Sequence, residues 1–197
     1  MSQQIFEFSE QQKKELSDLF GERVNLSRRE RHFYNHDVGA LPSMAKRLLG
    51  KAKPAAIVKL RDEDDVVNLM DFASRYSVPV VPRAGATSGY GGVIPTKGGI
   101  IADVGLLNHI YDIDREKLTA TVGAGIVWEK LESKLNHVDL SVCALPSSAP
   151  AATVGGWLGQ NGLGYGSYEY GWSQETMLSA RLVTPEGKVR ELSLIHI

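Results

Sequence analysis

One cysteine, Cys143, stands in 197 residues, so the chain holds no internal disulfide, and its cysteine usage fits a reducing compartment. No apolar run approaches the roughly 20 residues that span a bilayer. The opening Met1-Ser2-Gln3-Gln4 has neither the basic start nor the apolar stretch of a signal peptide, which leads to the expectation of a cytoplasmic protein. Charge of either sign is not in excess: 22 Lys and Arg stand against 23 Asp and Glu, and the net charge is −1. Nothing therefore draws the chain to nucleic acid or to an anionic membrane. No pair of its five histidines has metal-ligand spacing beside a cysteine or carboxylate, so no metal site is expected. Internal repeats and a clear interdomain linker are also lacking. What remains, 43% hydrophobic and 23% charged, is the composition of a folded domain. The length allows one large domain or two small subdomains with a real core.

Glycine is present in quantity and unevenly placed. Sixteen of the 20 glycines lie from Gly85 to Gly171, less than half of the chain. Glycine destabilises regular elements, so such clustering marks backbone that needs unusual angles or close approach to another group. The densest stretch runs Pro82-Arg83-Ala84-Gly85-Ala86-Thr87-Ser88-Gly89-Tyr90-Gly91-Gly92 and follows the apolar run Val78-Pro79-Val80-Val81. A strand that opens into small residues exposes backbone N–H groups, and successive N–H groups form concavities that hold phosphate oxygens. Arg83 adds charge at the rim, and Thr87 and Ser88 add hydroxyl donors. The stretch leads to the expectation of a bound diphosphate. The plainer alternatives are a surface ion pair for Arg83 and ordinary turn chemistry for Thr87 and Ser88.

Elsewhere the pattern predicts alternating helices and strands. Ser9 with Gln12 forms a capping box and Gly21 a stop, giving a helix over 9–20. Arg28 to Gly50 reads as basic and irregular, punctuated by Tyr34-Asn35-His36-Asp37 and Leu41-Pro42. Ala55 to Lys59 predicts a strand. The acidic run Asp62-Glu63-Asp64-Asp65 opens a helix over 63–76, because acidic residues oppose the dipole at a helix start. Val66, Leu69, Met70, Ala73 and Tyr76 form its apolar face. A strand over 78–82 completes a β-α-β unit with the glycine stretch at its carboxyl end, where α/β sheets bind ligands. Strands follow at 99–104, 110–114 and 118–122, the last two as a hairpin. A helix over 127–135 comes next, with Val127, Leu131 and Leu135 on one face. Residues 146–171 form a second loop rich in glycine, and 179–184 with 188–192 a closing hairpin.

Two familiar phosphate loops fail on spacing. A P-loop needs Lys-Ser/Thr after its last glycine, and no such pair follows Gly89 or Gly92. A dinucleotide fingerprint needs Gly-x-Gly-x-x-Gly opening a helix, which Gly89-Tyr90-Gly91-Gly92 does not provide. The order that does occur is Arg83 to Gly89, Gly98 to Asp103, Thr121 to Gly125, Pro146-Ser147-Ser148, Thr153-Val154-Gly155-Gly156, Asn161 to Gly164, Tyr170-Gly171 and Pro185 to Gly187. Over roughly 52–192 this resembles the FAD-binding domain of the vanillyl-alcohol oxidase and p-cresol methylhydroxylase superfamily. Within it, the likeness is to glycolate oxidase and D-lactate dehydrogenase subunits. The resemblance implies an α+β fold of the p-cresol methylhydroxylase type, in which two α+β subdomains clasp an extended FAD. It assigns Pro82, Arg83, Ala84, Gly85, Ala86, Thr87, Ser88 and Gly89 to the pyrophosphate. It assigns Pro146, Ser147, Ser148, Thr153, Gly155, Gly156, Asn161, Gly164, Tyr170 and Gly171 to the ribityl chain, the pyrophosphate and the ring. Gly155, Gly156, Gly162 and Gly164 are expected to let backbone amides reach the cofactor.

Departures from the commonest pattern carry information. Ala84 and Ala86 replace glycines, which is tolerable where neither needs a positive φ. Thr87 holds the position at which some members of the superfamily attach FAD through histidine, and Ala151 a position at which others use cysteine. Non-covalent FAD is therefore implied. Other residues keep plainer readings: His32 and His36 as structural or solvated, His109 as a strand end, His137 as part of a helix-to-strand turn and Cys143 as a small buried hydrophobe. Trp157, Trp172, Tyr165, Tyr168 and Tyr170 stay open between flavin contact and aromatic packing.

In the resembling family the substrate-facing base, and metal ligands where they occur, lie mainly on a cap domain that follows. The sequence is thus expected to be a C-terminally truncated piece of a longer oxidoreductase: a helical and irregular segment 1–51, an incomplete FAD domain 52–192 and a non-native tail 193–197. The function implied is oxidation of a small-molecule 2-hydroxy acid with electrons passing to an iron–sulfur partner or a quinone. The alternatives are a flavin-binding relay or inactive fragment without turnover, and a reductase of the UDP-N-acetylmuramate type.

Overall fold

Ser9 starts the first helix, α1 (Glu10–Phe20), as the sequence predicts: its hydroxyl accepts from Gln12 N–H at 3.2 Å while the Gln12 side chain accepts from Ser9 N–H at 2.8 Å. The computed structural model describes residues 6–39 and 53–193. The expected turn at Leu41-Pro42 and the tail beyond Ser193 lie outside the described residues. The chain divides into two compact units, Met1–Val104 with Val183–Lys188, and Gly105–Leu182 with Val189–Ile197.

In the first unit, β1 (Val24–Asn25) and α2 (Arg28–Phe33) follow α1. The sequence reading of 28–50 as irregular is corrected for its opening part: Ser27 caps α2 through Glu30 N–H at 3.3 Å. The Ser-x-x-Glu signal is present, within a run of arginines that masks it. Next come β2 (Ala56–Lys59), α3 (Glu63–Tyr76), β3 (Val80–Arg83) and β4 (Ile100–Asp103). The sheet order is β1-β2-β4-β3, with β4 parallel to both β2 and β3 and β1 antiparallel at the edge. The β-α-β unit read from sequence therefore has β4 inserted between its two strands. Ile57 and Val81 both register with Ile101, so the carboxyl ends of the three parallel strands are level.

The core of this unit collects Leu16 and Phe20 of α1, Val58, Leu60, Leu69, Phe72 and Ile100. Phe72 stacks between Phe8, 6.1 Å away between ring centres, and Tyr76, 4.9 Å away. Full burial of a side chain of this size contributes about 1.5–3 kcal/mol. Gly99 has φ +78°, and an added Cβ would stand 2.0 Å from the Pro79 carbonyl oxygen. Only glycine permits that approach, which brings Ile100 N–H to Pro79 O at 2.8 Å and sets the register of β4.

The second unit holds the predicted hairpin, β5 (Ile110–Asp114) against β6 (Thr119–Val122), and α4 (Trp128–Asn136). The buried face of α4 is Trp128, Leu131 and Leu135; Val127, expected on that face, instead precedes the helix in extended backbone. Two short helices, α5 (Val154–Leu158) and α6 (Ser167–Tyr170), interrupt the segment read as a loop. Trp128 and Trp157 meet edge to face at 5.0 Å in a core with Ile126, Leu131, Leu135 and Ala144. β7 (Ser179–Val183) and β8 (Val189–Ser193) form the closing hairpin. Among the described residues no helix is long and apolar enough to cross a membrane.

At the start of α3, Asp62 accepts from Asp65 N–H at 2.9 Å, and that hydrogen bond is the main cause holding its carboxyl below the usual range, with Arg61 adding to it. A carboxyl depressed in the folded state contributes stability above its unfolded value and loses that contribution as pH falls through its folded one. Asp62→Ala is expected to cost about 1 kcal/mol in urea unfolding at neutral pH, the worth of a lost cap. The difference from the parent protein should narrow as the pH drops below the ordinary carboxylate range.

Candidate cofactor-binding site

β3 ends at Arg83, opposite Asp103 of β4, and delivers the chain into residues 84–92. The Arg83 guanidinium lies 5.0 Å over the Tyr34 ring, and its Nη1 donates to the carbonyls of His36 at 2.5 Å and Tyr34 at 3.4 Å. Tyr34 Oη donates to Asp103 Oδ2 at 2.6 Å. Burial lowers the Arg83 pKa, opposed by Tyr34, Asp103 and Asp37. Burial first, and the Asp103 hydrogen bond second, push the Tyr34 hydroxyl well above its ordinary value. The result is a half-buried cation fixed at the root of the loop, backed against residues 34–36.

The loop itself has donors to spare. Among the described residues, no acceptor takes the backbone N–H groups of residues 85–89. None of residues 85–89 is buried, so their amides are open to solvent or a ligand, and consecutive N–H groups favour an anion with several oxygens. Loop chemistry and donor set therefore fit a diphosphate. Ala86 adopts φ +53°, which corrects the expectation that neither alanine needs a positive φ; Ala84 is not among the positive-φ residues. A left-handed alanine costs about 1–2 kcal/mol, and Val38 N–H donates to its carbonyl at 3.3 Å. Asp37 is buried and takes Gly91 N–H on Oδ2 at 2.7 Å and Gly39 N–H on Oδ1 at 2.9 Å.

The remaining predicted residues belong to the second unit. Pro146 is buried, and Ser147 and Ser148 form a turn in which Ala152 N–H reaches Ser148 O at 2.8 Å. Thr153 is buried and bridges to Val127. The glycines here are small chiefly because of protein neighbours. A Cβ on Gly155 would meet Ala124 Cβ at 2.6 Å, one on Gly162 the Trp157 Nε1 at 2.1 Å, and one on Gly164 the Leu145 carbonyl at 2.0 Å. Gly156 is exposed and meets only Thr153 Oγ1, so of the four it alone has the open side that close cofactor approach asks for. Asn161 has φ +50° and its Oδ1 accepts from the buried Ser173 hydroxyl at 3.4 Å. Tyr170 is exposed, its hydroxyl raised first by the charge of Glu169, and Gly171 packs on the Glu175 carboxylate.

The open aromatic readings divide. Trp157, 4% exposed, packs on Trp128, whereas Tyr165, Tyr168, Tyr170 and Trp172 are exposed. Cys143 is exposed, which corrects its reading as a buried hydrophobe. Ala144 takes the inward position just before Leu145 pairs with Tyr165, and the preceding side chain turns outward. His137 ends α4 with Nδ1 2.5 Å from Ser133 O, and His109 precedes β5. Sequence reasoning passed over Tyr34 and Asp37 as punctuation and Asp103 as a motif letter. Tyr34 and Asp37 follow α2 and Asp103 ends β4, and polarity at those positions does not say what they touch.

A parallel sheet that empties into an amide-rich loop, together with a second glycine-rich α+β unit, defines an FAD-binding fold of the p-cresol methylhydroxylase type. The family model described as an FAD binding domain matches residues 54–193, and the chain belongs to that family; its cofactor is FAD. The glycolate oxidase subunit GlcD of Bacillus subtilis is 30% identical over 139 residues, 71% of this chain and 30% of that protein. The alkyldihydroxyacetonephosphate synthase of Trypanosoma brucei brucei is 32% identical over 141 residues, 69% of this chain and 23% of that protein. A crystal structure of an alkyldihydroxyacetonephosphate synthase superposes with a TM-score of 0.84 at 26% identity, covering 96% of this chain and 39% of the other. That of p-cresol methylhydroxylase superposes at 0.78 and 19% identity, over 96% and 37%, a likeness of fold. The chain thus spans about a third or less of the curated relatives it matches.

Because the Trp157 indole fills the space beside Gly162, Gly162→Ala is expected to cost about 1–3 kcal/mol, the range for overpacking. Urea unfolding followed by tryptophan fluorescence reads it, together with a shifted emission in the folded state.

Proposed function

We propose that this chain holds FAD without a covalent bond and forms the cofactor-binding part of an oxidoreductase that oxidises a 2-hydroxy acid of the D-lactate or glycolate type. The observation that carries the reading is the run of amides over 85–89 without acceptors among the described residues, placed at the carboxyl end of a parallel strand. When bound, FAD supplies the acceptor for a hydride leaving the substrate carbon. The chain's own part is to hold and shield. Backbone N–H groups of 85–89, with the Thr87 and Ser88 hydroxyls, satisfy diphosphate oxygens, and Arg83 keeps a positive charge at the base of the loop. Pro82, Ala84 and Gly89 frame that cradle. Pro146, Ser147, Ser148, Thr153, Gly155, Gly156, Asn161, Gly164, Tyr170 and Gly171 flank the rest of the cofactor. Thr87 offers no nucleophile for attachment.

In this reading 52–192 is the FAD domain, residues 1–51 lead into it, and the substrate-facing base belongs to further sequence of the whole protein. Electrons pass to an iron–sulfur partner or a quinone. The one cysteine, carried as a free exposed thiol, supports a reducing, cytoplasmic setting. The relatives that are alkyldihydroxyacetonephosphate synthases favour a second reading, in which the whole protein is a synthase of an alkyldihydroxyacetone phosphate.

Acid precipitation of the flavin-loaded protein should release all flavin to the supernatant; flavin left in the pellet refutes non-covalent binding. Thr87→Glu places a carboxylate against the diphosphate and should weaken FAD binding at least about tenfold, or 1.4 kcal/mol. Anaerobic bleaching of the flavin by D-lactate or glycolate supports the 2-hydroxy acid reading. Bleaching by NADPH alone, or by none of these in the whole protein, sinks it.

A further inference from the structure

The family match begins at residue 54, yet the contacts that shape the glycine loop come from residues 34–39. Three of them are independent. Asp37 Oδ2 accepts Gly91 N–H at 2.7 Å, Val38 N–H donates to Ala86 O at 3.3 Å, and Gly39 lies so near Gly89 that an added Cβ would stand 2.3 Å from its carbonyl oxygen. A fourth anchors the strap behind the loop, where Arg83 Nη1 takes the His36 carbonyl at 2.5 Å.

Left to itself such a loop spreads over many conformations. Gly89 and Gly91 both have positive φ, a region that glycine samples as readily as the negative one, and Ala86 is held in a left-handed conformation it disfavours. Asp37, 6% exposed, has both carboxylate oxygens occupied by backbone N–H groups, one from the strap and one from the loop. It clamps the loop's far end while Val38 clamps its middle, and the donors of 85–89 stay outside those bonds. Ordering a ligand loop before binding removes an entropic cost that would otherwise reduce affinity.

We propose that residues 34–39 are a strap that pre-organises the diphosphate loop, with Asp37 as its positioning residue. This rests on the reading that residues 85–89 hold the diphosphate of FAD. A carboxylate near a bound diphosphate would by charge alone oppose binding, so its removal would tighten FAD; as a clamp, its removal weakens FAD.

The test compares two ligands on the whole chain freed of flavin: FAD, which has a diphosphate, and riboflavin, which has none. Dissociation constants are read from quenching of flavin fluorescence, well below the unfolding temperature. For the parent protein FAD should bind at least about tenfold tighter than riboflavin; equal affinities would overturn the diphosphate reading itself, and the strap with it. With that preference in place, Asp37→Asn keeps the shape but turns one acceptor into a donor, and Gly39→Ala pushes the strap off Gly89 without touching the core. Both are expected to weaken FAD at least tenfold and leave riboflavin within twofold. Unchanged or tighter FAD binding in folded variants overturns the strap while the diphosphate reading stands. A parallel loss of both ligands also overturns it, since that is what a purely structural residue would give. Should Asp37→Asn fail to fold, the same comparison on Gly39→Ala decides.

Discussion

The parallel pairing of β4 with both β2 and β3 is the constraint from which the rest of the first unit follows. It requires Gly99 to pass against the Pro79 carbonyl at a distance that no side chain allows. Once it does, Ile57, Ile101 and Val81 share one level and Arg83 faces Asp103 at the carboxyl edge. Parallel strands are linked by helices over their faces, and α3 closes the core over Leu69 and Phe72. The loop after β3 then leaves the sheet at the edge where open α/β sheets bind ligands. The register of β4 and the place where the loop leaves the sheet thus go together with this close approach.

Charge at this edge is arranged by contact and not by count. Arg83 stacks on Tyr34 and is tied to two carbonyls, Tyr34 bonds to Asp103, and Asp37 is filled by two amides. Such a network holds a cation and an anion side by side behind a loop of small residues, while the amides of 85–89 find no acceptor among the described residues. A buried network of this kind rigidifies when every member is satisfied. It also ties the segment before the family-matched region to the loop, through Asp37 and Val38.

Glycine clustering proves to have two causes. The run at 85–92 has three residues at positive φ and, over 85–89, amides without an acceptor among the described residues, whereas Gly155, Gly162 and Gly164 sit against Ala124, Trp157 and Leu145. Sequence cannot separate these cases, because both demand the absence of a Cβ. The edge-to-face pair Trp128 and Trp157 likewise draws into the core an aromatic that sequence left open between packing and flavin contact.

Local signals, where each residue answers to its neighbours in the chain, were mostly readable, the Ser27 cap of α2 excepted. The capping box at Ser9 and Gln12, the acidic start and apolar face of α3, the hairpin about Asp114 to Lys117 and the ordered glycine motifs all needed only short-range chemistry. They determined the fold class, the family resemblance and the cofactor. Tertiary structure decided what depends on partners far along the chain: β4 between β2 and β3, the left-handed Ala86, the outward Cys143, and the strap of 34–39 on a loop some fifty residues later. The physical reason is that turn and cap energies are set by adjacent residues, while register, burial and clamping are set by which distant surfaces the folded chain brings into contact.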